Sequence, residues 1–238
     1  MSHEVLRGDH HVHSTFSDDA VSTLAENVAA AAAIGLTTLR LVDHVRQSTT
    51  WVPEYLSAVR ALDVPEGLSV LTGVEAKILT AAGDLDIPAL PAGIDRILIA
   101  DHQFPGVDGP LGPTAVRERI ADGWGAEDVL DQFVSALISS MQRYPGNQLA
   151  HCFSILPKIG LAESDLGSER VGAWARAAAA TGTLVEVNEK WGCPEAPTLA
   201  ALRAAGAEIV ASTDSHVAAD VGRYSRVTAL LAEDSGSR

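Results

Sequence analysis

The chain has 238 residues, of which 47% are hydrophobic, and a formal net charge of −14. This hydrophobic content supplies a large core and excludes a disordered chain, and the length suits a single α/β barrel of about 200–250 residues. The acidic balance argues against a surface that coats nucleic acid. We therefore expect one domain over residues 1–238, with a flexible polar tail from about residue 233.

The sequence also argues against a membrane or secreted protein. The longest apolar run, residues 28–34, is far shorter than the ~20 residues of a membrane helix. The first residues lack the charged and then apolar pattern of a secretion signal. The two cysteines, Cys152 and Cys193, lie far apart in sequence, which argues against a disulfide framework. We expect a cytoplasmic protein that does not bind membranes.

Seven short apolar runs predict buried strands, and Ala- and Leu-rich stretches between most of them predict helices. The predicted strands are residues 5–12, 37–42, 68–74, 96–100, 148–150, 184–187 and 208–211. The predicted helices are, approximately, residues 24–34, 53–62, 114–121, 126–143, 169–180 and 196–205. Thr23 and Glu26 have the spacing of a capping box at the start of the first helix, and Gly35 marks its end.

This order of elements defines a fold class. Strands that alternate with helices predict a parallel sheet with right-handed crossovers. About seven such units favour a closed or nearly closed barrel over a small open sheet. A doubly wound open sheet is the alternative.

Imidazole and carboxylate groups concentrate at the predicted strand ends. Six histidines lie at or just past the end of an apolar run: His11, His13, His44, His102, His151 and His216. Glu75 also ends a run, Asp214 follows the last one, and Glu186 lies within a run. In a parallel barrel the carboxyl ends of the strands meet on one face, where active sites form. So many of these groups in one place need a cation, and their chemistry suits Zn, Mn or Fe.

Two short spacings agree with a metal site. His11 and His13 are two residues apart on a predicted strand, so both rings lie on one side of the sheet. Asp214 and His216 repeat this spacing near the other end of the chain. His10 is predicted to point to the opposite side from His11 and to be structural.

Five segments of the chain resemble the motifs of the polymerase and histidinol phosphatase (PHP) family of metal-dependent phosphoesterases. Asp9-His10-His11-Val12-His13, with Phe16-Ser17-Asp18-Asp19 after it, is similar to the first motif. The other segments are Val42-Asp43-His44, Gly73-Val74-Glu75, Ala150-His151 and Ser212-Thr213-Asp214-Ser215-His216. The resemblance spans residues 9–216.

The resemblance implies a distorted (β/α)7 TIM-like barrel with two or three divalent metal ions at the C-terminal ends of the strands. Carried over by position, the metal ligands are His11, His13, Asp19, His44, Glu75, His102, His151, Asp214 and His216. Glu75 would bridge two metals, and Asp18 could take the place of Asp19. We expect hydrolysis to depend on His151, Glu75 and Asp214.

The implied activity is hydrolysis of a phosphate ester by metal-activated water, and we expect a small phosphorylated metabolite, a monoester, as in histidinol phosphatases. Phosphate recognition usually needs Lys or Arg as well as metals. The candidate substrate-binding residues are Lys190, Lys158, Arg46 and Arg223. After His151 the chain has Cys152 and Phe153, where the family commonly has a proline and soon a basic residue. We therefore expect a substrate pocket that differs from that of the histidinol-phosphate enzymes.

Residues beside the ligands are expected to support the site. Glu186-Val187-Asn188 resembles a Glu-x-Asn segment of the family, and we expect Glu186 to support a ligand or to line the pocket. Trp191, directly after Lys190, either stacks on a substrate ring or packs within the protein. Trp51, past His44, has the same two interpretations.

Other functions have weaker support. A nuclease or nucleotide phosphodiesterase is the first alternative, and the acidic charge argues against it. A non-catalytic, metal-binding regulatory domain is the second, and the intact ligand set argues against it. The amidohydrolase superfamily also has His-x-His on a barrel, but many members bridge metals with a modified strand lysine, and no lysine lies within a predicted strand here. A nucleophilic pair of Cys152 and His151 is excluded because adjacent strand residues point apart.

Overall fold

A computed structural model describes the backbone of residues 2–235 and the side chains of residues 4–233. The strands of this region are β1 (Gly8–Val12), β2 (Thr38–His44), β3 (Ser69–Lys77), β4 (Arg96–Ala100), β5 (Phe104–Gly106), β6 (Gly109–Leu111), β7 (Gln148–Ala150), β8 (Leu184–Asn188) and β9 (Ile209–Ser212). Seven of them form a parallel sheet in the order β1-β2-β3-β4-β7-β8-β9, and β5 pairs with β6 in a separate antiparallel hairpin.

Helices lie in most of the connections between these strands. They are α1 (Ser2–Val5), α2 (Leu24–Ala33), α3 (Val52–Arg60), α4 (Pro113–Ala121), α5 (Ala126–Arg143), α6 (Leu156–Ile159), α7 (Gly167–Thr181), α8 (Ala196–Ala205) and α9 (Arg226–Ser235). The predicted capping box starts α2: the Glu26 N–H donates to Thr23 Oγ1, and the Thr23 N–H donates to Glu26 Oε2. Among residues 2–235, no helix has the length and apolar character needed to cross a membrane.

The sheet closes on itself where its first and last strands end. Val12 pairs in parallel with Ser215, three residues past β9. The His13 N–H donates to the Ser215 carbonyl (2.8 Å), and the Ser215 N–H donates to the His11 carbonyl (3.3 Å). The seven strands therefore form a nearly closed barrel. The predicted α/β barrel is confirmed, and the doubly wound open sheet is wrong.

Small and apolar side chains pack beneath the C-terminal end of the barrel. A separate buried cluster consists of Val42, Leu98, Ala100 and Ala150. Val42 is two residues before His44 on β2, so both lie on the same face of the sheet. A Cβ at Gly73 would lie 3.1 Å from Leu98 Cδ1 and from Val42 Cγ2. This close packing accounts for a glycine two residues before Glu75.

All seven predicted strands and all six predicted helices are present, but several ends differ. The first strand begins at Gly8 rather than at residue 5, because Ser2–Val5 forms a helical turn. β3 continues to Lys77, where it pairs with Ala100, because parallel pairing outlasts the apolar pattern. A lysine does lie within a strand, so the argument from strand lysines against an amidohydrolase fails. The side chain at the centre of the histidines is nevertheless the carboxylate of Glu75, two residues earlier, and not that lysine.

Some elements of the structure were not predicted, one of them in the C-terminal region. α9 and the β5–β6 hairpin have no counterpart in the predicted elements. The backbone of α9 continues through Ser235, and the flexible tail from about residue 233 stays a prediction. The remaining residues, 236–238, lie outside the described residues.

A bulge changes the direction of His10. Asp9 pairs with Leu39 and Val12 pairs with Leu41, so three steps along β1 oppose two along β2. A Cβ at Gly8 would lie only 2.6 Å from His10 Nε2, and burial together with the charge of Arg40 lowers the pKa of His10 to about 4. The imidazole thus lies over Gly8, neutral and beside a buried arginine. Strict alternation with His11 does not hold here, and the structural role of His10 stays a prediction.

Candidate metal centre

The nine predicted ligands converge at the C-terminal end of the barrel. Each lies at the end of a parallel strand or in the loop after it, so the common direction of the strands brings them together. Three groups have ligand atoms within 4.8 Å of one another: His11 with His13 and Asp214, His44 with Glu75 and His102, and His13 with His44 and His216.

Glu75 occupies the middle of these groups. Its Oε1 lies 3.0 Å from His151 Nε2 and 3.1 Å from His102 Nε2. Its Oε2 lies 2.8 Å from His44 Nδ1 and 3.5 Å from His11 Nε2. The two carboxylate oxygens therefore face different sets of imidazoles. Such a carboxylate can bridge two cations.

Asp214 joins the His-x-His pair from the opposite end of the chain. His11 Nε2 and His13 Nε2 are 2.9 Å apart, and Asp214 Oδ1 lies 3.2 Å from His13 Nε2. His216 Nδ1 donates to the carbonyl of Asp214 (3.0 Å). Nε2 of His216 is therefore the nitrogen that could bind a metal. The closure of β1 against the segment after β9 is what brings these two motifs together.

Asp19 lies at the exposed side of the cluster. Its Oδ2 is 3.3 Å from His216 Nε2 and 3.5 Å from His44 Nε2, and 54% of its side chain is exposed. Asp18, the other aspartate considered from sequence, is exposed. Of the two, Asp19 is the one with ion pairs to the histidines of the cluster.

Two carboxylates outside the predicted ligand set orient the rings. His11 Nδ1 donates to Glu186 Oε1 (2.8 Å), and His151 Nδ1 donates to Asp101 Oδ1 (3.3 Å). Because Nδ1 donates to a carboxylate, Nε2 of each ring is left to offer a lone pair to a bound cation. The neighbouring carboxylates outweigh burial and raise the pKa of both imidazoles, so a cation at Nε2 would take the place of a proton. Glu186 Oε2 also accepts the backbone N–H of His151 (3.1 Å). One glutamate therefore contacts two of the predicted ligands.

Asp43 holds the loop that follows β1. Its Oδ1 accepts hydrogen bonds from the Ser14 N–H (2.9 Å) and the Ser17 hydroxyl (2.7 Å). Ser17 Oγ accepts the backbone N–H of His44 (3.0 Å) and lies 3.3 Å from His13 Nδ1. A single hydroxyl thus links two ligands to one buried carboxylate.

Neither of the two supporting aspartates has a role predicted from the sequence. Asp43 directly precedes His44, and Asp101 directly precedes His102. Asp101 also accepts the hydroxyl of Ser154 (2.7 Å). The available signal was the Asp-His dipeptide repeated at the ends of two strands, where one residue is a ligand and the other anchors a neighbouring loop.

The charges in the cluster fit a bound cation. Burial opposes ionisation of Glu75, yet the imidazoles of His102 and His11 hold the pKa of its carboxyl well below the usual range. Its Oε2 is buried and accepts no hydrogen bond from the described residues, although ring nitrogens surround it. Nε2 of His11 and Nε2 of His13 face each other so closely that a proton or a cation must lie between them.

The state of His13 agrees with this conclusion. Burial lowers the pKa of His13 to about 3, so the ring is neutral and has a lone pair to offer a metal. Imidazole nitrogens mixed with carboxylate oxygens suit Zn, Mn or Fe. The residues present therefore fit the divalent ions that the sequence predicts.

Two ligands have a backbone conformation that residues other than glycine rarely adopt. The φ angle is 30° at His151 and 52° at Asp214. Such conformations cost about 1–3 kcal/mol each and persist only where the surrounding structure enforces them. The hydrogen bonds from Glu186 and Asp101 hold His151 in place. The strained backbone thus lowers the stability of the fold and directs both side chains toward the cluster.

The predicted substrate-binding residues differ in their positions. Lys190 Nζ lies 3.1 Å from Asp214 Oδ2, at the edge of the cluster. Arg223 lines, with Lys190, a cavity of about 410 Å³ whose wall includes Asp214. Lys158 Nζ lies 4.0 Å from the centre of the Trp191 ring. Arg46 is exposed, and its backbone N–H donates to Thr49 within its own loop.

The thiol beside His151 has no sign of nucleophilic activation. Cys152 is 1% exposed, and burial raises the pKa of its thiol well above the ordinary value. Reactive cysteines have lowered pKa values instead. Phe153, the next residue, is also buried. Cys152 belongs to the core, whereas Phe153, although buried, also lines a cavity with Lys158 and Trp191.

The segment that contains most of these residues also matches a known protein family. A family model described as the PHP domain matches residues 9–190. This chain belongs to the PHP domain family. The matched range contains seven of the nine predicted ligands of the PHP domain, from His11 to His151, and the barrel closure adds Asp214 and His216. The family membership predicted from the motifs is confirmed.

Curated relatives of this PHP domain are named as probable phosphatases. One from Acetivibrio thermocellus is 26% identical over 237 residues, which are 94% of this chain and 86% of the relative. One from Vibrio campbellii is 32% identical over 124 residues, which are 50% of this chain and 49% of the relative. The chain thus spans about half the length of the first curated relatives it matches.

A solved structure has the same architecture. It is a histidinol phosphate phosphatase from Lactococcus lactis, complexed with zinc, L-histidinol and phosphate. The TM-score is 0.66 at 17% sequence identity, and the match covers 95% of this PHP domain and 90% of that chain. At this identity the likeness shows the fold, and it confirms the barrel.

Proposed function

We propose that this PHP domain is a metal-dependent phosphatase that hydrolyses a phosphate monoester of a small metabolite by attack of water. The observation that carries the proposal is the buried Glu75 carboxylate, whose two oxygens face separate sets of histidines. An arrangement of this kind suits adjacent cations, and adjacent cations are typical of phosphoryl chemistry. The names of the curated relatives support the same reaction class.

We propose two or three divalent ions, Zn, Mn or Fe, for this site. The ligand groups would be His11, His13, Asp214 and Glu75 Oε2; His102, His151 and Glu75 Oε1; and Asp19, His44 and His216. When bound, such ions supply a water of lowered pKa and neutralise phosphoryl charge. The side chains of the protein would bind the ester and orient it and its leaving group.

The cationic side chains near the cluster suit a phosphate group. Lys190 already neutralises Asp214 at its outer oxygen, and Arg223 faces the same cavity. Lys158 is close to Trp191 and thereby to the loop that holds Lys190. Hydrogen bonds from Lys or Arg to phosphate are charge-assisted and stronger than neutral ones. We propose these three residues, and Arg46 with less structural support, as substrate contacts.

The substrate class follows from the same features. The Lactococcus lactis enzyme was solved with zinc, L-histidinol and phosphate, which supports a small phosphorylated metabolite as the substrate of this chain. In this chain Cys152 and Phe153 are buried, and Lys158 provides the first basic side chain after His151. We propose a small phosphate monoester whose leaving group differs from histidinol. Both cysteines are free thiols, which supports the proposed cytoplasmic location.

A phosphatase screen tests this function. Purified protein is reconstituted in turn with Mn, Zn and Fe and offered a panel of small monoesters, with an oligonucleotide and a phosphodiester alongside. Release of phosphate from a monoester is expected, and Glu75→Gln protein gives the background. Cleavage of only the oligonucleotide or diester would replace the proposal with a nuclease or phosphodiesterase. Bound metal without turnover of any compound would indicate a regulatory domain.

A further inference from the structure

Trp191 differs from the other tryptophans in what it contacts. Trp174 is fully buried in the hydrophobic core, and Trp51 and Trp124 pack against that core. Trp191 lies in the loop after β8 and contacts charged groups and ligands instead. Its backbone N–H donates to Asn188 Oδ1 (3.1 Å), which fixes the loop to the end of the strand. Core packing therefore does not explain this side chain.

The edge of the indole holds one oxygen of Asp214. Nε1 of Trp191 donates to Asp214 Oδ2 at 2.6 Å, and Lys190 Nζ lies 3.1 Å from the same oxygen. The other oxygen, Oδ1, lies 3.2 Å from His13 Nε2. Because Oδ2 is already engaged, Oδ1 is the oxygen that remains for a cation. The indole, together with Lys190, thus occupies the oxygen of Asp214 that faces away from the histidine pair.

The faces of the same ring meet a cation and a second ligand. Lys158 Nζ lies 4.0 Å from the ring centre, within the range of a cation–π contact. The centre of the His151 ring lies 5.5 Å from that of Trp191, with the planes tilted by 48°. Lys190 Nζ is 5.8 Å from the ring centre. One side chain therefore contacts two ligands and two cations proposed to meet the phosphate.

We propose that Trp191 is a positioning residue, which fixes Asp214 as a one-oxygen ligand with its edge and holds Lys158 toward the substrate phosphate with its face. The second part rests on the proposed phosphatase function, whereas the first concerns only metal binding. The two parts are separable because a phenylalanine retains an aromatic face but has no N–H. A leucine has neither.

Three variants separate these contributions. Trp191→Phe loses the donor, Trp191→Leu loses donor and face, and Trp124→Phe is the matched control because Trp124 packs edge-on against Phe104 in the core. Each reconstituted protein is measured for metal affinity by chelator competition, for binding of inorganic phosphate, and for kcat and KM on the best monoester. Thermal melts confirm that each variant is folded.

The expected results follow from the strength of the lost contacts. Trp191→Phe weakens metal affinity about 10- to 100-fold, as for loss of a hydrogen bond to a charged group, and lowers kcat. Its KM and phosphate affinity stay within about threefold of the wild type, since the aromatic face remains. Trp191→Leu also raises KM and weakens phosphate binding, about 2- to 30-fold. Trp124→Phe leaves all four quantities unchanged.

Two results would overturn the inference. Wild-type metal affinity in folded Trp191→Phe protein would show that the indole N–H does not position Asp214. Identical phosphate affinity in the Phe and Leu variants would show that the face does not hold a phosphate-binding cation. If the wild-type protein hydrolyses no monoester, the proposed function fails, but the metal measurement still decides the role of the Trp191 edge.

Discussion

Replacement of Glu186 by glutamine should damage the metal centre while it preserves the size and shape of the side chain. Glu186 is fully buried, and both of its oxygens accept hydrogen bonds. The donors are His11 Nδ1, Gln148 Nε2, the His151 N–H, Asn188 Nδ2 and the Ser212 hydroxyl. A carboxylate can accept all five, whereas an amide has only one acceptor atom.

The cost can be worked out from these contacts. If the glutamine oxygen remains on His11, its amide group faces the His151 N–H, Asn188 Nδ2 and the Ser212 hydroxyl. The hydroxyl can rotate and accept from the amide, so two donors lose this acceptor. A buried donor without a partner costs about 1–3 kcal/mol, so Glu186→Gln should lower the free energy of unfolding by about 2–6 kcal/mol. Loss of a group that orients a metal-binding histidine reduces metal affinity or activity by about 10- to 100-fold.

Three measurements test this prediction. Chemical denaturation gives the free energy of unfolding, chelator competition gives the metal affinity, and a monoester assay gives kcat/KM. Glu169→Gln is the matched control, because Glu169 is exposed on α7 and its replacement should change none of them. Folded Glu186→Gln protein with wild-type metal affinity and kcat/KM would refute the view that Glu186 orients His11 and His151.

Three further predictions concern the ligands, the metal and pH. Glu75→Ala and His151→Ala should abolish hydrolysis in folded protein, and elemental analysis should find the larger metal loss for Glu75, whose oxygens face two sets of histidines. Complete chelation should lower the melting temperature, since an ion that binds only the folded state stabilises it. Burial raises the pKa of Glu163 from 4.5 to about 7, so folded protein keeps a proton that the unfolded chain releases. The free energy of unfolding of the wild type, relative to that of Glu163→Gln, should therefore fall between pH 4.5 and about 7, by at most about 3 kcal/mol.

Each of these predictions has a result that contradicts it. Near-normal turnover by both alanine variants would remove Glu75 and His151 from the site. An unchanged melting temperature after complete chelation would mean that no metal binds in the folded barrel. Parallel pH profiles for the wild type and Glu163→Gln would show that Glu163 titrates normally when folded.

The strands and the residues that gather at their ends were predictable because each leaves a local signal. Apolar runs locate buried strands, and a histidine directly after such a run marks the end that faces the site. The C-terminal end of β3 was not predictable. Lys77 remains in the strand because it pairs with Ala100 of β4, and no local pattern in the sequence indicates this contact. α9 was missed because no helix was predicted after the last strand, although Val227 and Leu231 of this helix are buried.

The support around the ligands was harder to predict than the ligands themselves. Asp101 reaches His151 across 50 positions of sequence, and Trp191 reaches Asp214 across 23. Such pairs depend on how loops fold over neighbouring strands, so a single sequence gives their residue types but not their partners. Glu186 was the exception, because the resemblance to a family segment drew attention to it.

The closure of the barrel between Val12 and Ser215 has a consequence for synthesis of the protein. The His-x-His pair belongs to the first strand, and its partners Asp214 and His216 lie near the other end of the chain. At roughly 5–20 residues per second, a ribosome needs on the order of 10–40 s to make the segment between them. During that interval the nascent chain holds histidines without their carboxylate partner. A metal ion that needs ligands from both ends of the chain can bind only after the last strand has been synthesised. Binding of such an ion would therefore show that the barrel has closed.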